Sequence, residues 1–184
     1  MVRNNFTFGI SKNFFWFLIF FFSIFLYSIF PITAQTVTEI PKVGDKAPFF
    51  EYGKFSSKNL LGKKNLIMVF YRGHFWGHCQ KQLVELQQHF SKLNNEDSKL
   101  IAISTDGNDE KKQTVSELGV KFLIVSDLQR NIIRSFGVLH PEEGISRPAV
   151  FIIDKKGLVR YRKIGIDYTD RPTVKLLVQI LALL

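Results

Sequence analysis

The most constraining feature of the sequence is a set of continuous apolar runs of strand length. Residues 65–71 read NLIMVFY, and shorter runs of the same kind are LIAIS at 100–104 and AVFIID at 149–154. A strand that is apolar on both faces is typical of the interior of a sheet covered by helices on both sides. The chain is therefore expected to fold around a largely buried sheet.

Helical patterns alternate with these runs. Leu83, Leu86, Phe90 and Leu93 lie at three- and four-residue steps, which predicts one helix from about Cys79 to the Asn pair at 94–95. Capping and turn residues predict the remaining elements, which are helices at 106–118, 127–136 and 173–184 and strands at 122–125, 149–154 and 158–164. This order predicts an α/β fold with a mixed central β-sheet flanked by helices on both faces.

The N-terminal segment differs from the rest of the chain. Residues 1–34 carry Arg3 and Lys12 but no acidic residue, and 14–30 form an uncharged run that precedes PITA. This pattern is typical of a secretory signal cleaved after Ala34. The alternative is an uncleaved membrane anchor through 14–30, because about 17 apolar residues lie at the lower limit for crossing a bilayer. Either case predicts export of the body to the periplasm or cell envelope.

The exported body is divided into a linker and one domain. Residues 35–48 contain Pro41, Gly44 and Pro48 and are predicted to be a linker, and 49–184 are predicted to form the folded domain. The formal net charge of the chain is +9, but the lysines lie in dispersed pairs with acidic residues nearby. Without a long basic run or aromatic residues interleaved with it, we expect no binding to nucleic acid.

The chain contains a single cysteine, Cys79. One cysteine excludes a disulfide or a dithiol centre within one chain, and it excludes a four-cysteine zinc site. The cysteine lies in the segment FYRGHFWGHCQ at 70–80, where the first long strand is predicted to end and the first long helix to begin. Reacting groups and ligands of open α/β sheets usually lie at this edge.

The surroundings of Cys79 leave alternatives open. The first turn of a helix favours a thiolate, and Arg72, His74 and His78 would add positive charge, so Cys79 is a candidate nucleophile. Alternatively, Cys79 is a small buried apolar residue that continues the stripe of Leu83. The spacing of the two histidines and the cysteine matches no established zinc or copper pattern, so no metal site and no cofactor is predicted. A copper-handling module remains a third alternative.

Three segments carry a resemblance to a known family. They are FYRG at 70–73 with the aromatic turn and cysteine that follow, RPAVFIID at 147–154 followed by KKG, and DYTDR at 167–171. From about residue 42 to 184 the chain resembles the peroxiredoxin-like AhpC/TSA group of the thioredoxin-fold superfamily. The resemblance implies a thioredoxin-like fold and a thiol-dependent antioxidant oxidoreductase. It also implies that Cys79 attacks a peroxide or disulfide substrate and that an external thiol restores it.

The chain departs from the pattern of that family at several positions. Trp76 stands where dithiol members have a cysteine and peroxiredoxins a threonine, and Arg72 stands where peroxiredoxins have a proline. Pro148 takes the place of the family's catalytic arginine, so Arg147, one residue earlier, is the candidate partner of Cys79. By the same resemblance, Pro148 is expected to form a cis peptide and to face the site. Trp76 favours the second function left open, a degenerate redoxin that binds a partner or ligand without turnover.

Overall fold

The computed structural model describes residues 39–95, 97–167 and 169–184, and within these ranges the apolar runs form one five-stranded sheet. A short antiparallel hairpin of β1 (Glu51–Tyr52) and β2 (Phe55–Ser56) precedes it. The strands of the main sheet are β3 (Asn65–Phe70), β4 (Ser98–Ser104), β5 (Leu123–Ser126), β6 (Ala149–Ile153) and β7 (Val159–Ile164). The leader predicted at 1–34 lies outside the described residues. No helix within the described ranges is long and apolar enough to cross a membrane.

The strand order is β5–β4–β3–β6–β7, with β3 at the centre. β3 pairs in parallel with β4 and antiparallel with β6, β4 pairs in parallel with β5, and β6 and β7 form the predicted hairpin. The predicted mixed sheet is therefore confirmed. Because β3, β4 and β5 run in the same direction, the loops that follow them meet at one edge of the sheet.

In the part of the chain that the structure describes, five helices surround the sheet, together with a 3-10 helix at Ser57–Leu60. They are α1 (Gly77–Gln88), α2 (Phe90–Leu93), α3 (Asn108–Leu118), α4 (Asn131–Ser135) and α5 (Val174–Leu181). The single helix predicted from Cys79 to 95 is interrupted at His89, whose φ of −109° and ψ of 20° are not helical. α4 begins later than predicted, because the Asp127 carboxylate lies outside the helix and accepts from the N–H groups of Asn131 and Ile133.

Alternate residues of β3 belong to two different hydrophobic cores. Met68 and Phe70 face one core, in which the rings of Phe70, Phe136 and Phe151 pack with centroids 5.1–5.8 Å apart. Ile67 and Val69 face the other core, which is built from α1 and α5 and includes Cys79. Helices on both faces explain why every residue of β3 is buried.

The predicted linker at 35–48 is corrected at its C-terminal end. Gly44 donates to the carbonyl of Val159 at 2.8 Å, and Ala47 donates to the carbonyl of Gly157 at 2.9 Å. Lys46 forms an antiparallel bridge with Leu158, and the side chain of Ala47 is buried. Residues 44–47 are thus part of the folded domain, and they pair with the hairpin of β6 and β7.

Candidate active site

Cys79 lies in the first turn of α1, at the edge of the sheet where β3 ends. Trp76 is the N-cap residue, with an extended φ of −93° and ψ of 105°, and the backbone N–H of Cys79 donates to the Trp76 carbonyl at 2.7 Å. Cys79 is only 1% exposed. The sulfur therefore sits at the positive end of a helix and among apolar neighbours, so its charged form depends on nearby groups for stabilisation.

The charged group that reaches the sulfur is Arg171. Its Nη2 lies 3.5 Å from Cys79 Sγ, and its Nη1 donates to Gln82 Oε1 at 2.8 Å. Arg171 precedes α5, and Gln82 lies one helical turn after Cys79 on α1, so this guanidinium joins the two helices at the thiol. The guanidinium is therefore placed to donate a hydrogen bond to the sulfur. Sequence reasoning did not assign Arg171 to the site, although DYTDR at 167–171 carried part of the family resemblance.

Arg147 is engaged elsewhere. Its Nη2 donates to the Gly137 carbonyl at 2.9 Å, and its backbone N–H donates to the Val138 carbonyl at 2.7 Å. The guanidinium is thus held by the segment that follows α4. Among the described residues, Arg171 rather than Arg147 contacts the sulfur, so the predicted role of Arg147 finds no support in this geometry.

Pro148 also differs from its expected conformation. The residue is buried, and its carbonyl accepts from the N–H of Gly165 at 2.8 Å. All peptide bonds within the described residues are trans, so the expected cis peptide at Pro148 is wrong. Pro148 instead continues directly into β6, and the backbone hydrogen bond to Gly165 extends the pairing of β6 with β7.

Phe75 and Trp76 form an aromatic rim beside the N-terminus of α1. The guanidinium of Arg72 stacks over the ring of Trp76, with its central carbon 4.0 Å from the ring centroid, and it forms an ion pair with Glu143. The side chains of Trp76 and Phe75 are 42% and 78% exposed. Arg72 therefore stabilises the position of Trp76 through a cation–π contact. Among the described residues, no contact joins Arg72 to the sulfur.

The two histidines near Cys79 have different surroundings. The buried His74 ring turns toward α3, where Nδ1 lies 3.1 Å from Thr114 Oγ1 and Nε2 lies 3.3 Å from Glu117 Oε2. Hydrogen bonds from Thr169 hold the pKa of Asp167 below its usual range, and the exposed His78 adds a smaller effect in the same direction. The structure therefore does not bring His74 to the thiol. Among the described residues, no group of three histidine, cysteine or acidic side chains is arranged to hold a metal ion.

Comparison with known proteins identifies relatives of this chain. The model of the AhpC/TSA family matches residues 43–162. The chain is 30% identical over 147 residues to the chloroplastic 2-Cys peroxiredoxin BAS1 of Hordeum vulgare, covering 69% of this chain and 68% of that protein. It is 32% identical over 118 residues to alkyl hydroperoxide reductase C of Buchnera aphidicola, covering 60% of this chain and 59% of that protein.

Solved structures match over a larger share of the chain. The crystal structure of Enterococcus faecalis AhpC has a TM-score of 0.68 at 24% identity and covers 78% of this chain and 92% of that chain. The reduced 2-Cys peroxiredoxin of Plasmodium vivax has a TM-score of 0.67 at 23% identity and covers 77% and 94%. These matches confirm the predicted thioredoxin-like fold.

Proposed function

Because the chain belongs to the AhpC/TSA family, we propose that it reduces peroxides through the Cys79 thiolate and is restored by an external thiol. The observation that carries this proposal is the position of Arg171 Nη2, 3.5 Å from Cys79 Sγ at the N-terminus of α1. A guanidinium and a helix N-terminus both favour negative charge on a sulfur that is otherwise withdrawn from water.

The first step forms one bond and breaks one. The Cys79 thiolate attacks the terminal oxygen of a hydroperoxide, an S–O bond forms and the O–O bond breaks. The sulfur is oxidised by two electrons to a sulfenic acid, and the peroxide is reduced to an alcohol, or to water in the case of hydrogen peroxide. The leaving oxygen takes up a proton. Its developing negative charge is stabilised by the same guanidinium and helix N-terminus.

The second step needs a thiol from outside the chain, because the sequence contains no second cysteine. An external thiol attacks the sulfenic sulfur, water leaves, and a mixed disulfide forms. A second external thiol attacks that disulfide, releases an oxidised disulfide product and regenerates the Cys79 thiol. The proteins of Hordeum vulgare and Plasmodium vivax named above are 2-Cys peroxiredoxins, whereas this chain is proposed to work with one cysteine.

Peroxide turnover with a small thiol tests this proposal. We expect the full chain to consume hydrogen peroxide when dithiothreitol is supplied, with one equivalent of oxidised dithiothreitol formed for each peroxide. The Cys79→Ser protein is the control and should consume peroxide no faster than dithiothreitol alone. Consumption above that background in the Cys79→Ser protein, or none above it in the natural chain, would contradict the proposal.

A second function is favoured by the burial of the sulfur. Cys79 is 1% exposed, and the neighbouring N-cap position carries Trp76 instead of a hydroxyl or thiol. A redoxin of this kind could bind a partner through its aromatic rim without turnover. The rate at which iodoacetamide alkylates Cys79 in the folded chain separates the two functions. A reactive thiolate is alkylated faster than the same cysteine in denaturant, whereas a structural cysteine is protected by folding.

We also propose that the body is exported to the periplasm or cell envelope through the apolar leader. The support for this proposal is the order of Arg3 and Lys12, the apolar run at 14–30 and the small residue Ala34. The protein recovered from the cell envelope is expected to begin at Gln35 or within a couple of residues of it. An intact Met1 would show that 14–30 instead act as an anchor, and recovery from the cytoplasm would contradict export.

A further inference from the structure

A half-buried carboxylate, that of Asp106, lies beside the loop that joins β3 to α1 and leads to Cys79. Asp106 follows β4, the parallel neighbour of β3, so it reaches the same edge of the sheet. Its Oδ2 accepts from the backbone N–H of His74 at 2.9 Å and from Ser104 Oγ at 2.9 Å. The backbone carbonyl of Asp106 accepts from Ser126 Oγ at the end of β5. The carboxylate is thus fixed to the sheet on one side and to the Cys79 loop on the other.

The backbone of the loop approaches this carboxylate closely. Gly73 has a φ of +156°, and a Cβ at this position would lie 2.7 Å from Asp106 Oδ1. A side chain at residue 73 would force the Asp106 carboxylate to move, so glycine allows the loop and the carboxylate to lie this close together. Partial burial raises the pKa of Asp106, because the charged carboxylate loses solvation there. The carboxylate therefore determines where the backbone of residues 73–74 can lie.

His74 connects the loop to both neighbouring helices, α1 and α3. Its carbonyl accepts from Gln80 Nε2 at 2.8 Å, and Gln80 directly follows Cys79 in α1. Its ring contacts Thr114 and Glu117 of α3. A chain of hydrogen bonds thus runs from Asp106 through His74 to the residue next to the nucleophile.

We propose that Asp106 is a positioning residue, which holds the loop between β3 and α1 so that Cys79 Sγ lies against Arg171. The proposal rests on the proposed function, because it concerns the same thiol. Asp106 makes no described contact with the sulfur, and it is not proposed to contact the peroxide. Without its carboxylate, the buried N–H of His74 loses its partner and the start of α1 is free to shift relative to α5.

A double-mutant cycle in the full chain tests this proposal. The measured quantity is the second-order rate constant for oxidation of Cys79 by hydrogen peroxide, in the natural chain, Asp106→Ala, Arg171→Met and the double variant. Because a displacement of about 1 Å can cost up to about 10²-fold in rate, we expect Asp106→Ala alone to slow oxidation about tenfold. In the Arg171→Met background the same change should matter less than about twofold, since no guanidinium remains to be aligned. An equal loss in both backgrounds would overturn the proposal.

Two further variants separate positioning from general loss of stability. Asp106→Asn keeps an oxygen that can accept both hydrogen bonds, so the rate should return to within about threefold of the natural value. Asp127 is the control, because its carboxylate also accepts from the backbone, but from the N–H groups of Asn131 and Ile133 in α4. Asp127→Ala should lower the melting temperature and leave the oxidation rate within about twofold. A loss as large as that of Asp106→Ala would overturn the proposal.

The proposal can still be tested if a variant does not fold or if Cys79 does not react with peroxide. If Asp106→Ala does not fold, the cycle is run with Ser104→Ala, which removes one hydrogen bond from Oδ2 and keeps the charge. A smaller loss is then expected, again only with Arg171 present, and an equal loss in both backgrounds would again overturn the proposal. If the natural thiol does not react with peroxide, the proposed function fails. The same cycle measured by iodoacetamide alkylation at pH 7 then still shows whether Asp106 acts through Arg171.

Discussion

Replacing Arg171 with Met is expected to slow the oxidation of Cys79 by hydrogen peroxide about 10²-fold, the size of effect seen when one donor to a developing anion is removed. The sulfur is 1% exposed, so water cannot replace the lost charge, and the guanidinium lies 3.5 Å from it. Methionine keeps the apolar part of the side chain but neither the charge nor the donors to Cys79 and Gln82.

Stopped-flow measurement of thiol loss at pH 7 checks this prediction. The matched control is Arg147→Met, since that arginine also has a part-buried hydrogen bond but donates it to the Gly137 carbonyl. We expect a much smaller change in rate from Arg147→Met, together with a loss of stability. A larger loss of rate from Arg147→Met than from Arg171→Met would reverse the roles that the structure assigns to the two residues.

Replacing Trp76 with Cys is expected to create an internal disulfide and a new dithiol activity. Residue 76 is the N-cap of α1, and the carbonyl of Trp76 accepts from Cys79 N–H at 2.7 Å, so the two side chains leave the same turn. A disulfide needs β-carbons about 3.5–4.5 Å apart, which neighbouring positions of one turn can provide. The natural chain should fail to reduce insulin disulfides, because nothing within it resolves a mixed disulfide on Cys79.

The control for this gain is Phe75→Cys. Phe75 is 78% exposed and lies before the N-cap, so its thiol adds the same chemistry outside the turn of Cys79. Trp76→Cys also removes the stack with Arg72, at a cost of about 0.5–1 kcal/mol, so folding is followed by circular dichroism. Insulin reduction by Trp76→Cys but not by Phe75→Cys is the expected result. A folded Trp76→Cys protein whose thiols never pair would contradict the placement of residue 76 and Cys79 on one turn.

The three central strands of the sheet, β4, β3 and β6, could be predicted because nearly all of their residues are buried. The run at 65–71 has no polar alternation, and the structure buries every residue of β3. The position of Cys79 followed from the same pattern, since the change from strand to helix period falls within 71–79. The pairing of 44–47 with the β6–β7 hairpin could not be predicted, because it is made by backbone groups that leave no side-chain pattern.

The charge at the thiol could not be inferred from neighbours in sequence. Arg171 lies 92 residues from Cys79, and no local spacing links the two, so only the resemblance at 167–171 drew attention to this segment. His74 is five residues from Cys79, yet its ring turns toward α3 and contacts Thr114, while its backbone N–H donates to Asp106. Side-chain direction in a short loop depends on contacts with other strands, which are visible only after folding.

A single-turnover experiment shows whether Cys79 is a peroxide-reactive thiolate. The full chain is mixed with one equivalent of hydrogen peroxide, quenched after short times with a diketone that traps sulfenic acids, and the Cys79 peptide is analysed by mass spectrometry. Trapped sulfenic acid is expected to form on Cys79 much faster in the folded chain than in the same chain under denaturant. A Cys79 thiol that survives in the folded chain, while the denatured chain is oxidised, would contradict this expectation.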